Sequence, residues 1–292
     1  MMSLRNSVHQ ALFLILRYSG LPFLVRELCQ RNKVTILAYH APSLRRATEH
    51  FRALGKRYRV ISLSRYVEAC QQGMVGNLPK KSLIITLDDG HCSTYALHSL
   101  LREMGMPVTV FLCSGIVGTH RHFWWTAARS ARETGACKKM LDNERLEFLR
   151  SREYSETREY PERQALSRKE IEELKSCVDF QSHTVFHPIL PACTEERALH
   201  EIVASKEELT ELLGQRVDGL AFPNGDYTER EIAMVKRAKY RFAVTMDSGY
   251  NDGATDLFRL RRIAVLDDSS VSELLVKACG VWNLLKSGLS KK

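Results

Sequence analysis

The stretch that most limits what this chain can become is residues 82–90, Ser-Leu-Ile-Ile-Thr-Leu-Asp-Asp-Gly. A short, mostly apolar run, β-branched at Ile84, Ile85 and Thr86, predicts a buried strand. It ends in two adjacent carboxylates and a glycine. Successive strand side chains point to opposite faces, so Asp88 and Asp89 cannot face the same way while the chain stays extended. Gly90 releases the chain into a turn and leaves both acids at the carboxyl end of the strand, where α/β proteins bind their ligands. Two acids there repel one another unless a cation lies beside them. A metal ion would answer that need.

Its other ligands are predicted in residues 182–188, Ser-His-Thr-Val-Phe-His-Pro. Two imidazoles four residues apart fall on one face of a helical turn and can grip one ion. Pro188 biases His187 away from continuing a helix, which puts His183 and His187 on a turn just after a strand near 178–181. One carboxylate and two imidazoles leave positions open for water and substrate, whereas closed structural zinc sites use four protein ligands. An isolated His-x-x-x-His more often pairs a core histidine with a surface one; the upstream Asp-Asp-Gly reverses that preference.

With these residues in hand the chain resembles a known family. Thr86-Leu87-Asp88-Asp89-Gly90 is similar to the Thr-Phe-Asp-Asp-Gly motif of the polysaccharide deacetylases, the NodB-homology or carbohydrate esterase 4 group. Ser182-His183-Thr184-Val185-Phe186-His187 resembles the second motif, and Ala221-Phe222-Pro223-Asn224-Gly225 the third in its Ala-Tyr-Pro-x-Gly form. Leu37-Ala38-Tyr39-His40 resembles the Tyr-His strand that opens the members associated with exopolysaccharide and surface-glycan synthesis. The resemblance runs from about residue 34 to 265 and implies an α/β fold, a distorted (β/α) barrel of the NodB-homology type with an inserted helical segment.

It also implies a hydrolase that removes an acetyl or similar small acyl group from an amino sugar. Asp89, His183 and His187 would hold a divalent ion, zinc by the family pattern, with Asp88 beside them as the base. A main-chain N–H of the third motif, mapped to Asn224, would face the oxyanion. The family's usual acid is a histidine near the C-terminus, and no histidine follows Val244. In the Tyr-His members the first strand takes that place, which makes His40 the acid. Ala221 stands where many members carry an arginine that orients the base; Asp247 and Arg259 are the substitutes nominated for that network. His91, where an aromatic is common, is expected to alter the substrate groove. Two other classes stay open: a glycan-binding member without catalysis, which would tolerate Asp88→Asn, and a non-haem iron oxygenase, which two histidines and a carboxylate also suit. A sugar-lipid deformylase is the alternative chemistry.

The remaining sequence sets the organisation. Its 292 residues suit one large α/β domain or two small ones. A formal charge of +9 favours anionic lipids or glycans as much as a merely solvated surface, and no nucleic-acid-binding signature accompanies it. Eight scattered cysteines without a Cys-x-x-Cys suggest reduced thiols in the cytoplasm. Residues 1–33 carry an apolar run too short to span a bilayer, no clear cleavage site, and five cations against the single acid Glu27. They read equally as an amphipathic helix on a membrane surface and as a helix packed on the domain. The expected partner is an N-acylated glycan or lipid-linked oligosaccharide, met at the inner membrane face.

Along residues 34–270, the catalytic domain, strands are predicted at 34–39, 60–63, 108–112, 219–222 and 242–245. Helices are expected at 47–57, from a Ser64 cap to Cys70, between Gly90 and Gly105, and at 195–213 and 229–238. Residues 119–168 read as a helical insertion opened by Phe123-Trp124-Trp125, the tryptophans favoured as core over sugar stacking. Residues 271–292 form the C-terminal segment, with one amphipathic helix expected over 272–285.

Overall fold

The computed structural model describes residues 4–289, with side chains from 8 to 286; the first three residues of the N-terminal segment and the last three of the C-terminal segment lie outside them. The strands are β1 (Val34–Tyr39), β2 (Arg59–Val60), β3 (Ser82–Leu87), β4 (Val108–Leu112), β5 (Val178–Ser182), β6 (Gly219–Ala221), β7 (Phe242–Val244) and β8 (Ile263–Ala264). Every pairing is parallel, in the order β7-β6-β5-β4-β3-β1-β8, with β2 beside β3. β1, β3 and β4 are buried at every position, as their unbroken apolar runs require of strands covered on both faces. Residues 260–264 join the two edges. Leu260 bridges to Val244 at β7 while Ile263 and Ala264 pair with Leu37 and Ala38, so the curled sheet closes into the distorted barrel expected.

Helices cover the outside: α1 (Leu4–Tyr18), α2 (Leu21–Leu28), α3 (Leu44–Gly55), α4 (Leu63–Gln71), α5 (His98–Met104), α6 (Ala131–Cys137), α7 (Asp142–Arg150), α8 (Arg168–Leu174), α9 (Glu195–Leu213), α10 (Glu229–Arg237), α11 (Val271–Ala278) and α12 (Val281–Leu289). Several starts are written locally. Ser43, Thr194 and Ser270 each accept an N–H three residues on, and Ser167/Glu170 and Thr228/Glu231 form capping boxes.

Three expectations are corrected. The strand at 60–63 shrinks to β2, because Ser62, not Ser64, caps α4 by accepting from the Arg65 N–H. The C-terminal helix is two helices: Gly280 has φ +77, and a Cβ there would sit 2.0 Å from the Tyr250 hydroxyl, so the chain turns where a continuous helix was read. The insertion is only partly helical. α6 and α7 are followed by an irregular stretch from Ser151 to Ser167 that lies against the barrel mouth through a bridge between His91 and Ala165.

Candidate active site

The end of β3 settles how two neighbouring acids come to share one site. Asp88 still donates its N–H to Tyr39 O (2.9 Å), so it belongs to the sheet. Asp89 then takes φ +73 and Gly90 φ +72, which swings the second carboxylate round beside the first. At Gly90 a Cβ would meet Leu112 Cδ2 at 2.6 Å, so the turn accepts only glycine. Positive φ outside glycine is costly. Four of the seven such residues among those described, Asp89, Thr184, His187 and Asn224, lie at this one place.

The histidine loop is not a helical turn. It leaves β5 with Thr184 at φ +67 and His187 at φ +57 and is pinned from both sides. His183 N–H donates to Leu112 O, and the Ser114 and Gly115 N–H groups donate to Thr184 and Val185 O. Glu201 Oε2, on α9 and fully buried, accepts both the Val185 and Phe186 N–H (2.8 and 2.9 Å). Arg197 holds Glu201 at 2.9 Å and Glu156 at 2.6 Å, tying the loop to the insertion. Trp124 Nε1 donates to His187 O (2.9 Å) from the same insertion. Glu201→Ala would leave two buried N–H groups without acceptors, a loss of about 3 kcal/mol. A lowered denaturant midpoint with an unchanged slope is the expected result.

Asp89, His183 and His187 are buried, and one donor atom from each lies within 4.8 Å of the others. Asp89 Oδ1 faces Nε2 of His183 at 3.5 Å and of His187 at 3.6 Å, yet it has no hydrogen-bond partner among the described residues. His183 Nδ1 lies 2.8 Å from Ala221 O, which fixes its proton on that nitrogen and turns the Nε2 lone pair toward Asp89. Burial and neighbouring His183 push His187 down to about 3, so its ring stays neutral. Burial works against charge on His183 too, but Asp89 and Asp88 outweigh it and raise its pKa. An orphaned buried carboxylate oxygen facing two imidazoles is a donor set that fits a divalent ion.

Asp88 is held apart from that set. Its carboxylate takes a two-pronged contact from Arg262, Nη1 to Oδ1 at 2.7 Å and Nη2 to Oδ2 at 2.8 Å, with neither side chain more than 4% exposed. Burial alone would raise the Asp88 pKa; the Arg262 guanidinium, with His183 beside it, holds it well below the usual carboxylate range. Arg262 also donates to Thr245 O and Thr86 Oγ1, so its direction is fixed. Ala221 offers no guanidinium to Asp88; Arg262, from the segment that closes the barrel, makes that contact instead. The nominated substitutes do not: Asp247 accepts from the Tyr227 hydroxyl, and Arg259 pairs with Glu229 and Asp256.

These four groups open on a cavity of about 670 Å³ that His40 and Asn224 also line, so all six residues singled out in the sequence meet. His40 stands exposed at the end of β1, its N–H and that of Ala41 donating to Asp267. Asn224 takes φ +58 and its Oδ1 accepts from Lys138, which caps the end of α6 (2.6 Å). His91, Phe123 and Trp125 stack in succession as one wall, and Trp125 meets His187 edge-on at 4.6 Å. The two tryptophans therefore divide: Trp124 is core and Trp125 faces the cavity. Arg262, Glu201, Lys138 and the cavity-facing role of Trp125 were not read from the sequence. The only local signal for Arg262 was a run of three arginines in residues 259–262 beside a strand.

Comparison with solved structures gives the same fold. The deacetylase PplD of Streptococcus pyogenes, solved with acetate, superposes with a TM-score of 0.62 at 22% identity, covering 84% of this chain and 98% of that one. IcaB from Ammonifex degensii gives 0.63 at 18% identity, over 85% and 97%. A polysaccharide deacetylase from Bacillus cereus gives 0.59 at 20%, over 84% and 69%. No curated protein sequence matches the chain. The family model for polysaccharide deacetylases matches residues 75–243, more than half the chain, a span that holds both aspartates, both histidines and Asn224 while His40 and Arg262 fall outside it. The chain belongs to the polysaccharide deacetylase family of hydrolases.

Proposed function

We propose that this protein is a metal-dependent deacetylase that hydrolyses the N-acyl group, acetyl in the first instance, of an amino sugar in a glycan. The observation that carries the reading is the division of labour between adjacent acids: Asp89 looks at two imidazoles while Asp88, gripped by Arg262, remains outside that set. Asp89, His183 and His187 would hold the ion, zinc by the family pattern. When bound, it supplies Lewis-acid activation of water and of the acyl carbonyl.

The chain's own residues do the rest. Asp88 takes the proton from the attacking water, its free lone pairs aimed by the Arg262 fork. The Asn224 main-chain N–H, presented by a left-handed turn, donates to the oxyanion. His40, at the cavity rim, gives a proton to the departing amine. The His91–Phe123–Trp125 wall supplies an apolar face for a sugar ring and sheds water from the cavity.

The finer reading adds a nascent or lipid-linked glycan met at the inner membrane face, with peripheral contact through the N-terminal helices. Acetate and formate release from a panel of N-acylated glycans, with and without chelator, tests the chemistry and separates deacetylation from deformylation. Asp88→Asn is expected to keep its ion and lose about a hundredfold or more in turnover. An Asp88→Asn variant as active as the parent would remove Asp88 from the base role, and glycan binding by the parent without acyl release would return the protein to the glycan-binding reading.

A further inference from the structure

Large apolar side chains left in water gather at one place on this molecule. Of the fifteen exposed among the described residues, nine lie between Val8 and Leu28 and two more, Leu284 and Leu285, on α12. These helices share a small core in which Phe13, Leu16, Val276, Cys279 and Val281 are buried, with Val25 and Trp282 against it. That core uses only the inward side of α1. Its outward side is Val8, Leu12, Ile15 and Tyr18, spaced for one helical face, and Ile15 and Tyr18 are 68% and 72% exposed. α2 repeats the pattern with Leu21, Leu24 and Leu28, the last 78% exposed. A surface helix packed on a soluble domain turns polar groups outward. Here the apolar stripe faces out, as a patch too concentrated to be scattered surface residues.

Charge says what covers it. Four cations stand over aromatic rings of these same helices: Arg17 over Tyr18, Arg26 over Phe23, Lys286 over Trp282 and, from α11, Lys277 over the buried Phe13. Arg31 and Lys33 follow α2 and are exposed. The one acid of the segment, Glu27, is already taken by Lys81 and Arg26. Aromatic and long cationic side chains around an apolar centre match a bilayer boundary, where rings sit at headgroup depth and cations reach phosphate. No single described helix is long and apolar enough to cross a bilayer. α1 and α2 taken together have the length and composition to do so, but the 57° bend between them and the packing of α1 on α11 suit the pair to lying along a surface.

We infer that the outward faces of α1, α2 and α12 form a docking surface for an anionic lipid bilayer. It gives the membrane contact proposed above a defined face and a partner charge, and it stands apart from the chemistry, since none of these helices lines the cavity. The test is partition of the purified full chain onto phosphatidylcholine vesicles with and without phosphatidylglycerol. The expected result is binding about tenfold or more tighter with phosphatidylglycerol and weakened by salt. Ile15→Glu with Leu24→Glu, both exposed and so harmless to the fold, should cut binding about tenfold or more. Arg31→Gln with Lys33→Gln should reduce the phosphatidylglycerol preference. Acetate release from a soluble glycan fragment should be the same for all variants, which separates failure here from failure of the catalytic reading. No partition, equal partition onto both vesicles, or partition unaffected by Ile15→Glu with Leu24→Glu would overturn the inference. So would a reversible dimer, abolished by the same pair of substitutions, in place of vesicle binding: the face would then belong to a second copy of this chain.

Discussion

His183→Ala is expected to strip the protein of stoichiometric divalent metal and to bring amide hydrolysis down to the level of the chelated parent, a loss exceeding a thousandfold. The two donors that remain, Asp89 and His187, cannot close a site alone, and removing a ligand lowers affinity further than removing a group that merely orients one, which already costs about 10–100-fold. His183 is also the best prepared donor. Its Nδ1 is spent on Ala221 O, so the ring presents Nε2 without having to be reoriented. Asp89→Ala should match it in metal content, because Asp89 Oδ1 is the atom both imidazoles face. Metal analysis after gel filtration, beside the acetate assay, gives the readout. A His183→Ala protein that still carried one ion per chain would show that the three donors are not the site, and the deacetylase mechanism would lose its centre.

The parts of this site that sequence could reach are those built within a few residues. A β-branched apolar run, an Asp-Asp-Gly end, a His-x-x-x-His before proline and a Pro-Asn-Gly turn each fix a local shape, and parallel strands carry all of them to one end of the barrel. His40 arrives there by the same rule, at the end of β1. What was out of reach depends on packing between distant segments. Arg262 is 174 residues from Asp88, and Arg259, Arg261 and Arg262 differ only in which side of a short closing segment each one faces. The register of β8 with β1 decides that, and two paired residues leave little pattern to read. Glu201 lies mid-helix on α9, where an acid reads as solvated until the loop it caps is seen. The break at Gly280 comes from the Tyr250 hydroxyl occupying the space a side chain would need. α1 and α2 were evenly divided between membrane and core; one face of α1 does pack, on α11, through Phe13 and Leu16.

Arg262→Met should destabilise the protein by about 3–5 kcal/mol, the cost of leaving one partner of a buried ion pair alone. Both side chains are essentially sealed from water, so Asp88 would lose its countercharge with no solvent to replace it. Thr86 Oγ1 and Thr245 O would lose a donor as well. Against a total stability of about 5–15 kcal/mol, the urea midpoint should fall by a large fraction of its value. The same loss would follow from any badly packed core substitution, so the double variant Asp88→Asn with Arg262→Met is the informative one. It removes both charges together, and replacing a buried pair by neutral groups of similar volume is often neutral or stabilising. Recovery of at least half the lost stability in the double variant, measured in chelator so that the ion does not contribute, is the expected coupling. Arg262→Lys should keep the charge but not the fork, folding better than Arg262→Met while turning over slowly because Asp88 is no longer aimed. An additive cycle, with the double variant as unstable as the sum of the singles, would mean that Arg262 acts through packing alone and that the orientation of the base lies elsewhere.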